Sequence, residues 1–322
     1  MLGPRDVGSR VSVRRRLPDG RSSDVLGDLI SWSGGRLIVR RSDGEEVTVD
    51  ESAVVAGRVV PPPPPPRRPG VPHASAAEMQ RIASAGWPAG ETEPLGEWLL
   101  RAHGGITGRA NSVMAVGDPG CELETALERV REWYAERRLP ALLQVPEGDP
   151  VDRGVAAAGW VQQHVTIVQT APIPATLDLI PARDDVDADV TSMPSAEWLA
   201  LMHDLDEQDP DAHIAILTGP PTVGFATVRR AGETVAIGRA SIEGPWAGVT
   251  SVDVPSAHRR QGLGAAVMRV LLDWAAEHDA RAAYLQVRAL NQPALALYRR
   301  LGFLTHHPYC YRVPPAPPDA PG

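Results

Sequence analysis

The chain has 322 residues, 43% of them hydrophobic and 22% charged, with a formal net charge of −8 and two cysteines, Cys121 and Cys310. That length predicts two or three domains with ample apolar material for their cores, and two cysteines exclude a disulfide scaffold or a thiolate metal cluster. The acidic balance argues against a nucleic-acid partner, and the lack of any run of about 18 apolar residues argues against a membrane span, so a cytoplasmic protein is expected.

Residues 10–60 read as short strands separated by turns: RVSVRRR, VLGDLISW, RLIVRR and EEVTVD, punctuated by PDG, SGG and SDG. Alternation in RLIVRR and EEVTVD, with glycine in each turn, predicts hairpins in a small antiparallel barrel. The first expected domain, residues 1–60, resembles an SH3-like barrel and carries no chemical constellation. It is a candidate docking module for a protein partner.

PPPPPPRRPGVP (61–72) interrupts the pattern. Six prolines favour polyproline II, which predicts a semi-rigid linker whose proline run spans roughly 19 Å. Beyond it lies an internal repeat. VREWYAERRLPALLQV (130–145) and LLDWAAEHDARAAYLQV (271–287) each give a helix end with Trp, a break, and an apolar strand ending in Gln-Val. Trp133 matches Trp274, Gln144 matches Gln286, and Gly159-Trp160 matches Gly302-Phe303. Two duplicated halves are expected, residues 73–172 and 173–322.

In the second half PSAEWLALMHDLDEQ (194–208) reads as helical, and strands near 223–229, 234–243 and 247–254 form a meander turned by AGE and GPW. A helix over 263–277, a strand over 282–287, a helix over 293–301 and a final strand pair complete it. This order indicates an α+β or α/β layer fold. The helix at 263 has its apolar face on Leu263, Ala266, Val267, Val270, Leu271 and Trp274, a 3.6-residue period. Before it stands HRRQGLG, a glycine turn at a helix start, where unpaired N–H groups and the helix dipole favour an anion.

Three anion-binding motifs compete for this turn. A Rossmann fingerprint needs a third glycine and an acidic ribose ligand, and neither is present. A Walker loop needs lysine, yet all 32 cationic residues are arginine. The absence of lysine also excludes a Schiff-base mechanism. The pattern R/Q-x-x-G-x-G/A remains, satisfied by Arg259, Gly262 and Gly264.

VPSAHRRQGLGAAVMRVLLDWA, with NQPALALYRRLGF beginning 27 residues after Gly264, resembles the acetyl-coenzyme A binding core of the GNAT N-acetyltransferase superfamily. The detailed resemblance covers about residues 220–313. The whole chain looks like actinobacterial SH3-GNAT proteins, an SH3-like barrel followed by tandem GNAT-like acyl-coenzyme A N-acyltransferase halves. The resemblance implies that the backbone of Val252 and Val254 pairs with the pantetheine arm. It implies that the N–H groups of Arg260, Gln261, Gly262, Leu263, Gly264 and Ala265 hold the pyrophosphate, with charge from Arg259 and Arg260. Asn291 would contact coenzyme A, and Tyr298 would lie beside the thioester sulfur as general acid.

An amine acceptor must lose a proton before it attacks the thioester. Glu243 and Asp253 are the candidate bases, ahead of His203, His213, His306 and His307. In the first half the corresponding segment, AVGDPGCELETALERV, carries Asp118, Glu122 and Glu124, which would repel a pyrophosphate. One active site is therefore expected, with Arg101, Arg109 and Asn111 as polar candidates around the acceptor. The expected partners are acetyl-coenzyme A and an amine, and no metal is expected. The alternatives are a noncatalytic coenzyme A sensor and a transferase using another acyl-coenzyme A.

Overall fold

The computed structural model describes residues 2–41, 45–60, 68–205 and 209–315. The chain forms two compact units, residues 1–63 with 148–150, and residues 64–147 with 151–322. Residues 61–67, which include all six consecutive prolines, lie outside the described residues, and so does the expected polyproline conformation.

The first unit is a five-stranded antiparallel sheet built from β1 (Arg10–Arg16), β2 (Ser22–Ser33), β3 (Arg36–Arg40), β4 (Glu46–Asp50) and β5 (Val54–Val59), in the order β4-β3-β2-β1-β5. Alternation puts Val11, Val13, Val25, Leu29, Leu37, Val39, Val47 and Val49 on one buried face, as a half-solvated sheet requires. The four strands read from the sequence are present, and β5, which pairs with β1, completes the sheet.

The second unit contains one eleven-stranded mixed sheet. Its first half in sequence contributes α1 (Ala76–Ala85), β6 (Glu91–Leu95), β7 (Trp98–Ala102), β8 (Val113–Met114), α2 (Leu123–Glu136), β9 (Leu143–Pro146), α3 (Pro150–Ala157) and β10 (Val161–Pro172). After α4 (Ile173–Leu179) come β11 (Asp187–Thr191), α5 (Ala196–Leu201) and α6 (Pro210–Thr218). The second half then runs β12 (Val223–Arg230), β13 (Glu233–Glu243), β14 (Trp246–Asp253), α7 (Leu263–Glu277), β15 (Ala282–Arg288), α8 (Gln292–Arg300) and β16 (Leu304–Val313).

The repeat is visible in matching parts. Parallel pairs β8–β9 and β14–β15 each enclose a long helix. Gly159 and Gly302 follow α3 and α8 with φ of 85° and 83°, a left-handed stop that glycine adopts without strain. The halves are also interlocked. Strand order runs β14-β15-β10-β16-β9-β8, so β10, the last strand of the first half, lies against β15 of the second, while β16 lies against β9 of the first. In place of a final strand pair there is one strand, β16, with borrowed neighbours on both sides. Hydrogen bonding between β10 and β16 joins the two halves into one sheet.

Local physics accounts for the elements around the second parallel pair. The apolar face of α7 is buried in a core with Ala226, Val228, Val249, Leu285 and Phe303. The turn AGE has positive φ at Ala231 and Gly232, the conformation that matches the twist of a hairpin. PSAEWLALMHDLDEQ is shorter as a helix than its pattern predicts. Ser195 caps α5 by accepting the amide of Trp198, the helix stops after Leu201, and α6 begins anew behind the Asp209 cap and Pro210.

Gly248 of β14 faces the buried Tyr284, and a Cβ there would stand 2.5 Å from the ring Cζ. Gly248→Ala is expected to destabilise the protein by about 1–3 kcal/mol through overpacking, read as a lowered melting midpoint.

Candidate functional site

The parallel pair β14–β15 holds its register from Trp246 opposite Ala282 to Val249 opposite Leu285. Beyond Val249 the strands part. The cause lies on the other side of β14, where the register with β13 passes from Arg239 opposite Thr250 to Ile237 opposite Asp253. Two residues, Ser251 and Val252, therefore oppose Gly238, and Ser251 takes φ of 52°. This is a β-bulge, which bends the strand that carries it. It opens a gap flanked by residues 250–254 on one side and the end of β15 on the other.

At the mouth of this gap the chain enters α7 through the glycine turn. Arg260 and Gly262 have φ of 59° and 78°, and Gly262 is the left-handed N-cap. Among the described residues the amides of Arg260, Gln261, Gly262, Leu263 and Gly264 have no hydrogen-bond acceptor, whereas that of Ala265 donates to Gly262 O at 3.1 Å. The run of available donors thus ends one residue earlier than expected. Consecutive amides around left-handed residues at the positive end of a 15-residue helix form an anion-binding concavity.

The turn is braced by groups not anticipated from the sequence. Arg183 donates to Gln261 O at 2.6 Å and both of its other nitrogens reach Asp185. Arg230 donates to Gln261 Oε1 at 2.6 Å and to Asp185 Oδ2 at 3.0 Å. Both arginines precede the motif in sequence, and nothing in linear spacing marks them. Arg259 and Arg260 are exposed, and Arg259 Nε donates to Val254 O at 2.9 Å. Gly264 lies against α8, where a Cβ would stand 3.1 Å from Leu297 Cδ2. Asn291 caps α8, its Oδ1 accepting the amide of Ala294 at 3.2 Å.

Tyr298 is buried, with its ring edge-on to Phe303 at 5.9 Å. Burial, with a smaller contribution from the charge of Asp253, pushes its phenol up to about 12. Asp253 is half-buried and accepts the amide of His203 at 3.2 Å. Burial raises its pKa above the ordinary carboxylate value. The structure brings these two groups together. Glu243 does not join them: it is exposed at the β13–β14 turn, opposite Trp246, at the other end of β14 and about 20 Å along the strand. Val252 and Val254 are half-buried against the α7 core.

The histidines are otherwise engaged. His203 is exposed beside Asp204, and His213 is buried edge-on to Trp87. His306 and His307 face each other through Nδ1 at 2.7 Å, and burial lowers His307 to about 3. Among the described residues no group of three His, Cys, Asp or Glu is placed to hold a metal ion, and no helix is long and apolar enough to cross a membrane.

In the first half, the segment corresponding to the glycine turn binds its own carboxylates. The amide of Asp118 donates to Glu97 Oε2 at 2.7 Å, and that of Gly120 to Asp118 Oδ1 at 2.8 Å. Asn111 ties its own loop, accepting from the amides of His103 and Gly105. Arg101 is buried among Ser84, Ser112 and Gln144, and Arg109 lies over the Trp87 ring at 4.1 Å. Arg239 of β13, also missed in the sequence, is fully buried beside the same indole.

Arg183, helped by Arg230, holds the Asp185 carboxyl down to about 2 against an ordinary 3.8. A lowered folded-state value means that the bracing by this carboxylate is present above pH ~3.8 and is lost as pH falls toward 2. A carbon-13 titration of Asp185 is expected to show that low midpoint, and Arg183→Ala to return it toward the ordinary value.

The family model described as "Probable histone acetyltransferase Rv0428c C-terminal" matches residues 74–312, and that described as "Rv0428c N-terminal Sm-like domain" matches residues 5–58. The "Uncharacterized N-acetyltransferase YobR" of Bacillus subtilis is 28% identical over 245 residues, covering 73% of this chain and 97% of its own. The "Probable histone acetyltransferase Rv0428c" of Mycobacterium tuberculosis is 28% identical over 321 residues, covering 96% and 95%. Among solved structures, a GCN5-related N-acetyltransferase from Kribbella flavida superposes with a TM-score of 0.60 at 23% identity, covering 75% of this chain and 96% of its own. The chain belongs to the Rv0428c acetyltransferase family: it is an acyltransferase with a tandem GNAT fold and an Sm-like, SH3-like N-terminal domain.

Proposed function

We propose that the protein transfers an acetyl group from acetyl-coenzyme A to a primary amine by direct attack within a ternary complex. The observation that carries this reading is the run of acceptor-free amides from Arg260 to Gly264 at the head of α7, beside the gap between β14 and β15. Those amides and the positive helix end bind the pyrophosphate, with Arg259 and Arg260 adding charge. The pantetheine arm lies along residues 250–254 like an added strand, using backbone groups freed where β14 leaves β15.

Chemistry takes place where the strands part. Asp253 receives the proton of the ammonium form, directly or through water, and its raised pKa suits it to that role. The amine lone pair attacks the thioester carbonyl carbon, the oxyanion is held by a backbone amide, and its collapse breaks the C–S bond as the extra proton on the attacking nitrogen passes to water. Tyr298 faces the sulfur as the donor. A phenol at about 12 keeps its proton through the neutral range. Full transfer to a thiolate of ordinary pKa near ~8.5 is uphill, so Tyr298 acts first by hydrogen-bonding the thiolate. Transfer is completed to the extent that the same burial raises the thiol.

Gly262→Glu places a carboxylate and a strained left-handed side chain in the turn. It is expected to lower acetyl-coenzyme A affinity at least tenfold by calorimetry, and unchanged affinity in a folded variant removes the assignment. Thiol release from acetyl-coenzyme A across an amine panel tests turnover. Tyr298→Phe is expected to lower kcat by about 100-fold, the low end of the range for one acid–base group, with a small effect on the KM of acetyl-coenzyme A.

A further inference from the structure

Buried arginines normally have carboxylate partners, because an unpaired charge removed from water is costly. This chain follows the rule at Arg312, whose Nε donates to Asp152 Oδ1 at 2.6 Å with both side chains buried. It breaks the rule twice. Arg239 is wholly buried and donates to Leu217 O, Thr250 Oγ1 and Gly86 O, all neutral acceptors. Arg101 is buried and donates to Ser112 O, Ser84 Oγ, Ser112 Oγ and Gln144 Oε1, again all neutral.

A third guanidinium makes the imbalance larger. Arg109 is half-buried over Trp87 at 4.1 Å, while Arg239 lies 5.4 Å from the same ring. Among the described residues Arg109 has no hydrogen-bond or carboxylate partner. It is near enough to disfavour the charges of both Arg101 and Arg239, and no Asp or Glu offsets either of them. Glu243 acts on Tyr284 but on neither Arg101 nor Arg239. Burial lowers Arg239 only to about 9, so it remains cationic at neutral pH.

Position ties this cluster to the chemistry. Arg239 pairs with Thr250, the first β14 residue past the last pair with β15, and its guanidinium bonds the Thr250 hydroxyl at 3.1 Å. On β13, Gly238 turns toward α7, where a Cβ would meet Leu271 Cδ1 at 3.0 Å. Successive strand residues face opposite sides, so Arg239 lies on the face away from α7 and borders the gap from that side.

We propose that the acceptor is an amine that also bears a carboxylate a few bonds away, and that Arg109, backed by Arg239 and steadied by Trp87, binds that carboxylate. This rests on the acetyltransferase reading above and names its acceptor class. Arg109 supplies the open planar fork that matches a carboxylate bidentately. Arg239, each of whose three nitrogens already donates to a neutral acceptor, supplies field. The neutral acceptors around Arg101 and Arg239 leave the charge available to a ligand.

The test compares aminocarboxylates (glycine, β-alanine, γ-aminobutyrate and glutamate) with their carboxamides. Two readouts are taken: thiol release from acetyl-coenzyme A, and calorimetric binding to the protein loaded with a nonreactive thioether analogue. At least one carboxylate is expected to exceed its carboxamide tenfold or more in kcat/KM and in affinity. Arg109→Gln is expected to bring that ratio toward one, and Arg109→Lys to keep part of it, with melting curves confirming that both fold. Equal use of carboxylates and carboxamides, with thiol still released, overturns the acceptor class and leaves the transferase reading standing. A carboxylate preference in binding with no thiol release from any amine does the reverse.

Discussion

The parting of β14 from β15 after Val249 is the constraint on which the rest of the second unit depends. It follows from one extra residue in β14, inserted opposite Gly238 and accommodated by the left-handed backbone of Ser251. A strand cannot bulge toward one neighbour and keep an even ladder with the other. The ladder with β15 is therefore given up, and unpaired backbone edge is exposed at the point where two other features converge. Those features are the amide-rich start of α7 and the buried phenol of α8.

Packing fixes each of these parts from behind. The apolar face of α7 is buried against β12, β13 and β14, so its N-terminus is aimed by the core. Gly238 and Gly264 permit close approach of that helix to the sheet and to α8. The Arg183–Asp185–Arg230 network holds Gln261 from outside the motif, which stiffens a turn otherwise free to close its amides on local acceptors. The first half shows that outcome, with Glu97 and Asp118 bonded to the turn's own amides. Opposite electrostatics at corresponding turns separate the two halves.

Exchange of the terminal strands gives the first half a continuing role. With β10 beside β15 and β16 beside β9, neither half completes its sheet alone. Arg109 of the first half also lies within electrostatic reach of Arg239 on β13 in the second. Trp87 and Arg109 meet Arg239, a grouping that single-domain spacing does not contain.

The sequence by itself determined whatever depends on neighbours a few residues apart. It determined the alternation that makes the first sheet, the 3.6-residue stripe of α7, the glycine that adopts the left-handed cap at 262, and the Asn291 cap of α8. Steric limits on φ and ψ and the periods of helix and strand act over that range, so these features were readable along the chain. Tyr298 was legible through the motif, whereas Glu243 and Asp253 stood as alternative bases that only the β13–β14 register sets at opposite ends of one strand. The early end of α5 and the separate α6 were hidden because a continuous apolar pattern does not report where a chain must turn to pack. Only the tertiary structure decided the bulge, the strand exchange, the bracing by Arg183 and Arg230, and the arginine cluster around Trp87. Each depends on a pairing between distant segments, and such pairings are chosen by the burial of whole surfaces, which no local spacing records.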